Sequence, residues 1–281
     1  MVPNLRQFLN LKGVSPAEIL LHKHIATGGI SDLWLASHPA FEGYFVVKYS
    51  RTPQTPYIYG QFEREYECAQ VLAQKGLEQI ATHIFTFDVD EDGHPYLIEE
   101  YFPSESLDIF MHCNHDWNII RIYLRDIIRC IARMHTAEII HRDLKPGNIL
   151  IGEDGDVRII DFALAAIKGE WHPGHEPGTA IGTPLYMSPE QAFGSYAELT
   201  NACDWYALGI ILFEWLTGHV PFKGNTAKET MQMHCFKAPP LPHNTCIPNA
   251  PACLPDIVRD MLSKDPKPRL GAVRQLASHL I

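Results

Sequence analysis

Paired cysteines are the first thing this sequence lacks. Its seven cysteines stand singly, with no Cys-x-x-Cys step, so neither a zinc ribbon nor a disulfide framework is indicated, and a reduced, cytoplasmic setting is the expectation. Excess positive charge is missing as well. With 23 Lys and Arg against 33 Asp and Glu, the formal charge is −10, which speaks against a general affinity for nucleic acid or acidic lipid. Long apolar runs are absent: "WYALGIILFEWL" is interrupted by Glu214 and reads as a buried helix, so no direct membrane insertion is expected. The opening "MVPNLRQFLNLKGV" has no apolar core for a secretory signal. There is no internal repeat and no low-complexity tract. Histidine is plentiful, with fifteen copies, but the pairs His22/His24, His112/His115 and His172/His175 have no Cys or carboxylate companion at ligand spacing.

What is present is a chain of 281 residues, 46% of them hydrophobic, enough for one large domain or two small lobes. Residues 20 to 102 read as short strands with one helix. "EILLHKHIA", "SDLWLAS" and "YFVVKYS" are bounded by Gly and Pro turns and form a β-meander. "GQFEREYECAQVLAQKG" places Phe62, Tyr66, Ala69 and Leu72 or Ala73 on one helical face and closes at Gly76. Two more strands, "HIFTFDV" and "HPYLIEEYF", flank an Asp92-Gly93 turn.

Beyond residue 103 helices dominate. Ile120, Leu124, Ile127, Ile131 and Met134 recur at steps of three and four, the signature of a long amphipathic helix. After it come "HRDLKPGNIL" and a small hairpin, "NILI" and "DVRIID", turning at Asp154-Gly155. Further helices are expected near 201–217, 226–234, 255–263 and 270–280. A surface turn is normally built from scattered Ser, Gly and Asp. "HRDLKPGNIL" instead concentrates His, Arg, Asp, Lys and Asn between two apolar runs, and reads as a catalytic loop.

These motifs in this order resemble the eukaryotic-type (Hanks-type) Ser/Thr protein kinases, most of all their bacterial members, over roughly residues 20 to 280. The resemblance implies an α+β, bilobal protein kinase fold. It has an N-terminal extension over 1–19, a small β-rich lobe with one main helix over 20–102, and a larger, mostly helical lobe over 103–281. It implies ATP and Mg2+, or Mn2+ in its place, bound between the lobes, and a protein substrate offering a Ser or Thr hydroxyl. Lys48 in "VVK" is similar to the lysine on the α and β phosphates, and Glu65 to its helix partner. Asp143 resembles the base that orients the acceptor hydroxyl, Lys145 the lysine near the γ-phosphate, and Asn148 and Asp161 the metal ligands. Thr183 in "GTPLYMSPE" resembles the threonine that bonds the catalytic Asp and Lys. Glu190 and Arg269 match a structural salt bridge, and Asp204 the buried carboxylate that braces the loop. Arg142 would supply a cation for a phosphorylated activation segment, with Thr179 as the phosphate acceptor. Ala26, Gly28, Gly29, Ser31 and Leu33 stand at the nucleotide-binding loop, and Glu99, Glu100, Tyr101 and Phe102 at the adenine-binding hinge.

The sequence departs from that pattern in three places. "ATGGIS" keeps only Gly28 of the three loop glycines, with Ala26 and Ser31 at the others. Ala163 replaces the glycine of the Asp-Phe-Gly motif, where glycine has freedom that alanine lacks. Glu99 puts an acid at the gatekeeper position, although a slip of one residue would exchange it with Glu100. The departures favour a competing reading, a pseudokinase acting as a binding or scaffold module. A third, a small-molecule kinase of the aminoglycoside phosphotransferase type, is opposed by the Ser-Pro-Glu segment and Arg269. The set Lys48, Glu65, Asp143, Asn148 and Asp161 favours an active Ser/Thr protein kinase, capable of autophosphorylation. Sequence leaves oligomeric state and substrate identity open.

Overall fold

The structure is a computed structural model that describes residues 18–114, 116–168, 180–194, 200–242 and 247–280. The short helix read in "NLRQFLNL", His115, His172, His175 and Thr179 lie outside the described residues. The chain divides into two compact units, Met1–Pro103 and Ser104–Ile281.

The first unit is a five-stranded antiparallel sheet in the order β1-β2-β3-β5-β4. Its strands are β1 (Leu20–Thr27), β2 (Ser31–Ser37), β3 (Phe45–Ser50), β4 (Ile84–Val89) and β5 (Pro95–Glu100). Side chains alternate between faces along each strand. One face buries Ala36, Phe45, Val47, Phe85 and Ile98 as a core. The other brings Ile84 and Leu97 against Phe62 of helix α1 (Pro56–Gln74). That helix begins at Pro56, six residues ahead of Phe62, where the apolar repeat starts. Thr55 is the reason: its Oγ1 accepts the Ile58 N–H at 3.2 Å, and Pro56 stands where a missing N–H costs nothing. At the other end Gly76 takes φ +66°.

In the second unit, β6 (Ser104–Ser106), β8 (Ile149–Gly152) and β9 (Val157–Ile159) form one small sheet. β7 (Ile139–Ile140) pairs with β10 (Ala166–Ile167). The helices are α2 (Leu107–Cys113), α3 (Trp117–Thr136), α4 (Pro189–Ala192), α5 (Ala202–Thr217), α6 (Ala227–Phe236), α7 (Leu254–Met261) and α8 (Lys267–Ser278). α3 buries Ile120, Leu124, Ile127, Ile131 and Met134, the face its periodicity marks. α5 is apolar all round because it is enclosed all round: from Ala202 to Leu216 only Glu214 escapes burial. Its Gly209 admits α7 closely, since a Cβ there would stand 2.9 Å from the Met261 Cβ. Among the described residues no helix is long and apolar enough to cross a membrane.

Candidate active site

The residues singled out by sequence fall into two groups, one in each unit. In the first unit the sheet register aligns them. Ala26 lies opposite Leu33, Leu33 opposite Lys48, and Lys48 opposite Leu97, so these four share one face. Glu99 sits opposite Val46, two residues along both strands, and therefore shares that face. It is buried, at 8% exposure. Glu100 pairs with Phe45 on the other face, and its Oε2 accepts the His83 N–H at 3.2 Å. Of the two, Glu99 and not Glu100 thus shares the sheet face of Lys48. Tyr101 and Phe102 follow the strand, with the Tyr101 ring edge-on to Tyr44.

Lys48 donates from Nζ to Glu65 Oε2 at 2.7 Å. Both side chains are nearly withdrawn from water, at 11% and 4% exposure, which makes the charge pair stronger and its geometry more fixed than a surface pair. Strand β3 supplies one partner and α1 the other. Ser31 opens β2 opposite Ser50. Gly28 and Gly29 form the turn between β1 and β2, closed by a bond from Gly28 N–H to Ser31 O at 2.7 Å.

In the second unit the charged loop runs from β7 through a turn of 3₁₀ helix, Pro146–Asn148, into β8. Asp204, 1% exposed, holds it from beneath. Its Oδ2 accepts the His141 N–H at 3.0 Å and its Oδ1 the Arg142 N–H at 2.9 Å. His135 Nε2 lies 2.8 Å from Oδ2. Burial pushes the Asp204 carboxyl up, but the His135 hydrogen bond and charge, the His141 ring and the Arg142 N–H outweigh it and hold the group below its ordinary value. It stays an anion that fixes two successive backbone donors.

Arg142 takes φ +66°, a left-handed conformation that costs a non-glycine residue about 1 kcal/mol or more. Contacts on several sides impose it. Its N–H goes to Asp204, its carbonyl accepts from Gln191 Nε2 at 2.6 Å, and its Nε donates to Leu164 O at 2.6 Å. The His141 ring is fully buried, reaching Ile160 O at 3.0 Å and packing on Phe162.

The turn at Arg142 presents Asp143. Its Oδ2 accepts from Lys145 Nζ at 2.7 Å and its Oδ1 from the Thr183 N–H at 2.6 Å. Lys145 Nζ also donates to Thr183 Oγ1 at 3.2 Å. Asn148 Nδ2 donates to the Asp143 carbonyl at 2.9 Å, which commits its amide nitrogen inward and leaves its carbonyl oxygen as the side chain's acceptor. The Asn148 backbone carbonyl takes the N–H of Ile160, the residue before Asp161, at 3.0 Å. Asp161 is itself left-handed, at φ +66°. Ala163 lies in a 3₁₀ turn, Phe162–Leu164, outside the positive-φ region.

Three residues that sequence reasoning passed over hold this arrangement. Gly182, at φ +121°, passes so close to the loop that a Cβ would stand 2.9 Å from Arg142 O and 3.5 Å from Asp143 Oδ1. Gln191 caps α4 together with Ser188 and bonds the Arg142 carbonyl as well. The run Ser-Pro-Glu-Gln carries the first role as a capping box, but nothing local announces the second. His135, the third, is one more histidine in a histidine-rich chain.

The geometry meets a clear set of relatives. Residues 20–281 match the family model described as Protein kinase domain. The chain is 31% identical over 249 residues to the serine/threonine-protein kinase PrkC of Bacillus subtilis, covering 86% of this chain and 37% of that protein. It is 27% identical over 270 residues to Pkn1 of Myxococcus xanthus, covering 94% and 38%. With PknB of Mycobacterium tuberculosis the identity is 28% over 264 residues, covering 90% and 41%. The chain thus spans about two fifths of the length of these curated relatives. A match over nearly its whole length, joined to an ordered set of motifs, makes this chain a member of the protein kinase family.

Proposed function

We propose that this chain transfers the γ-phosphoryl group of ATP to Ser or Thr hydroxyls of a protein substrate and to itself. The arrangement around Asp143 carries the reading. A carboxylate whose two oxygens are fixed by Lys145 and by the Thr183 N–H is oriented to accept the hydrogen of an incoming alcohol. Lys145, shared between Asp143 and Thr183, places a positive charge beside that hydroxyl, where it offsets charge on the transferring group.

The residues also fit a nucleotide and a divalent metal. Asn148 and Asp161 offer hard oxygen donors suited to Mg2+ or Mn2+. When bound, Mg-ATP supplies the phosphoryl donor and neutralises charge on its leaving group. Lys48, oriented by Glu65, would hold the α and β phosphates, and Gly28 and Gly29 would approach them through backbone. Ala26, Leu33 and residues Glu99 to Phe102 would line the base site. Thr179 is proposed as an activating phosphate acceptor, with Arg142 as the cation it engages.

Intact and peptide mass after incubation of phosphatase-treated protein with Mg-ATP and a generic basic protein tests this. Phosphoryl gain that disappears in Asp143→Asn is the expected result, and phosphate mapping to Thr179 would support its role. No gain on either protein overturns the transferase reading. Retained nucleotide binding would then identify a pseudokinase.

A further inference from the structure

The turn between β1 and β2 has lost two of the glycines expected there, yet it is held by a residue from another strand. Arg51, just past the end of β3, takes three successive carbonyls. Its backbone N–H donates to Ile30 O at 2.9 Å, and its Nη2 donates to Gly28 O at 2.9 Å and Gly29 O at 2.5 Å.

Peptide planarity gives these bonds a consequence on the far side of the turn. The C=O of one residue and the N–H of the next point in opposite directions across a trans peptide. Pinning the Gly28 and Gly29 carbonyls toward Arg51 therefore aims the Gly29 and Ile30 N–H groups away from it. Neither N–H has a hydrogen-bond partner among the described residues. A Cβ built on Gly29 would meet no atom within 4 Å. Two adjacent, unpaired backbone donors over open space form a concavity suited to an anionic oxygen.

We propose that Arg51 is a positioning residue for nucleotide phosphate. By holding the carbonyl side of the turn, it presents the Gly29 and Ile30 N–H groups to the polyphosphate. Neither Gly28 nor Gly29 lies in the left-handed region, so their backbone geometry is fixed by bonds of this kind and not by a conformation reserved for glycine. The guanidinium acts through the peptides and does not itself touch the ligand. This inference rests on the nucleotide-binding reading above.

Isothermal titration of wild type, Arg51→Ala and Arg51→Lys with Mg-ATP and with adenosine separates the two ideas. Loss of a charged donor to two carbonyls should weaken ATP about tenfold and leave adenosine affinity unchanged. Arg51→Lys should recover most of the loss, because one nitrogen makes both side-chain contacts. In turnover, KM for ATP should rise while kcat stays within about twofold. Equal weakening of ATP and adenosine, or no weakening of ATP, overturns the assignment to Arg51 while leaving nucleotide binding in place. A wild type that binds neither ligand overturns the nucleotide reading itself. Should Arg51→Ala melt early, Arg51→Lys against Arg51→Gln decides: ATP affinity that does not follow the cation refutes the proposal.

Discussion

Arg269 is fully buried and makes five hydrogen bonds, matching its five N–H donors. Nη1 reaches Glu190 Oε1 at 2.6 Å and Ala202 O at 3.1 Å, and Nη2 reaches Glu190 Oε2 at 3.0 Å and Lys264 O at 3.2 Å. Nε takes Ser263 O at 2.9 Å. Glu190→Ala removes the only carboxylate of this set and leaves a guanidinium at 0% exposure without a counter-charge. Breaking a buried pair from one side costs about 3–5 kcal/mol, against about 0–1 kcal/mol for a surface pair. At roughly 2–4 °C per kcal/mol for a chain of this order of size, the melting midpoint should fall by about 10 °C. Urea unfolding followed by tryptophan fluorescence, with Trp205 and Trp215 both buried in α5, reads the free energy directly. The double variant Glu190→Met with Arg269→Met is the sharper control. It removes both charges but also takes away the Arg269 donors to the carbonyls of Ala202, Ser263 and Lys264, each worth about 1 kcal/mol, so it should not regain wild-type stability. A Glu190→Ala loss below about 1 kcal/mol, or full recovery in the double variant, would refute the reasoning.

Two further outcomes follow from equally local facts. Gly182→Ala should lower turnover about 100-fold, because relieving a 2.9 Å approach to Arg142 O moves the Thr183 N–H off Asp143; a kcat equal to wild type in steady-state kinetics would contradict it. His234, enclosed in α6 with its Nδ1 at Tyr206 and Lys264 nearby, has its pKa lowered to about 4, first by burial and then by the Lys264 charge. Its folded pKa lies below the unfolded value near 6.5, so its contribution is present above pH 6.5 and is lost as pH falls toward 4, by up to about 3 kcal/mol. Urea midpoints between pH 7.5 and 4.5 should show that slope in wild type and less of it in His234→Gln; parallel curves would contradict the assignment.

What could be read in advance was whatever a short window contains. Period-two strands, the three-four repeat of α3, the Asp-Gly turns and the enclosed α5 all lie in contiguous text. The start of α1 does not show in the apolar repeat, because its signal, Thr55-Pro56, precedes that repeat. The site was legible as residue types but not as bonds. Asp204 reaches His141 and Arg142 across more than sixty residues, and Gln191 reaches Arg142 across forty-nine. The left-handed backbone at Arg142 is also invisible in sequence, since arginine is not a residue type that favours it, and an aspartate such as Asp161 adopts it too rarely for its type alone to announce it. Such conformations exist only because surrounding contacts outweigh their cost.

The same distinction bears on the three departures from the family pattern. A missing glycine matters where the backbone needs a positive φ or where a Cβ would collide. Ala26 is a strand residue paired with Leu33, and Ser31 is a strand residue paired with Ser50. Ala163 sits in a 3₁₀ turn outside the left-handed region. None of the three occupies a conformation that excludes a side chain. Gly182 does, at φ +121° and against the Arg142 carbonyl. Glu99 is a different case, a carboxylate added to a buried face rather than a freedom removed. It leaves the Lys48–Glu65 pair intact at 2.7 Å. The substitutions that first suggest a degenerate kinase therefore fall where the backbone tolerates them, whereas Gly182 stands where a side chain would not fit.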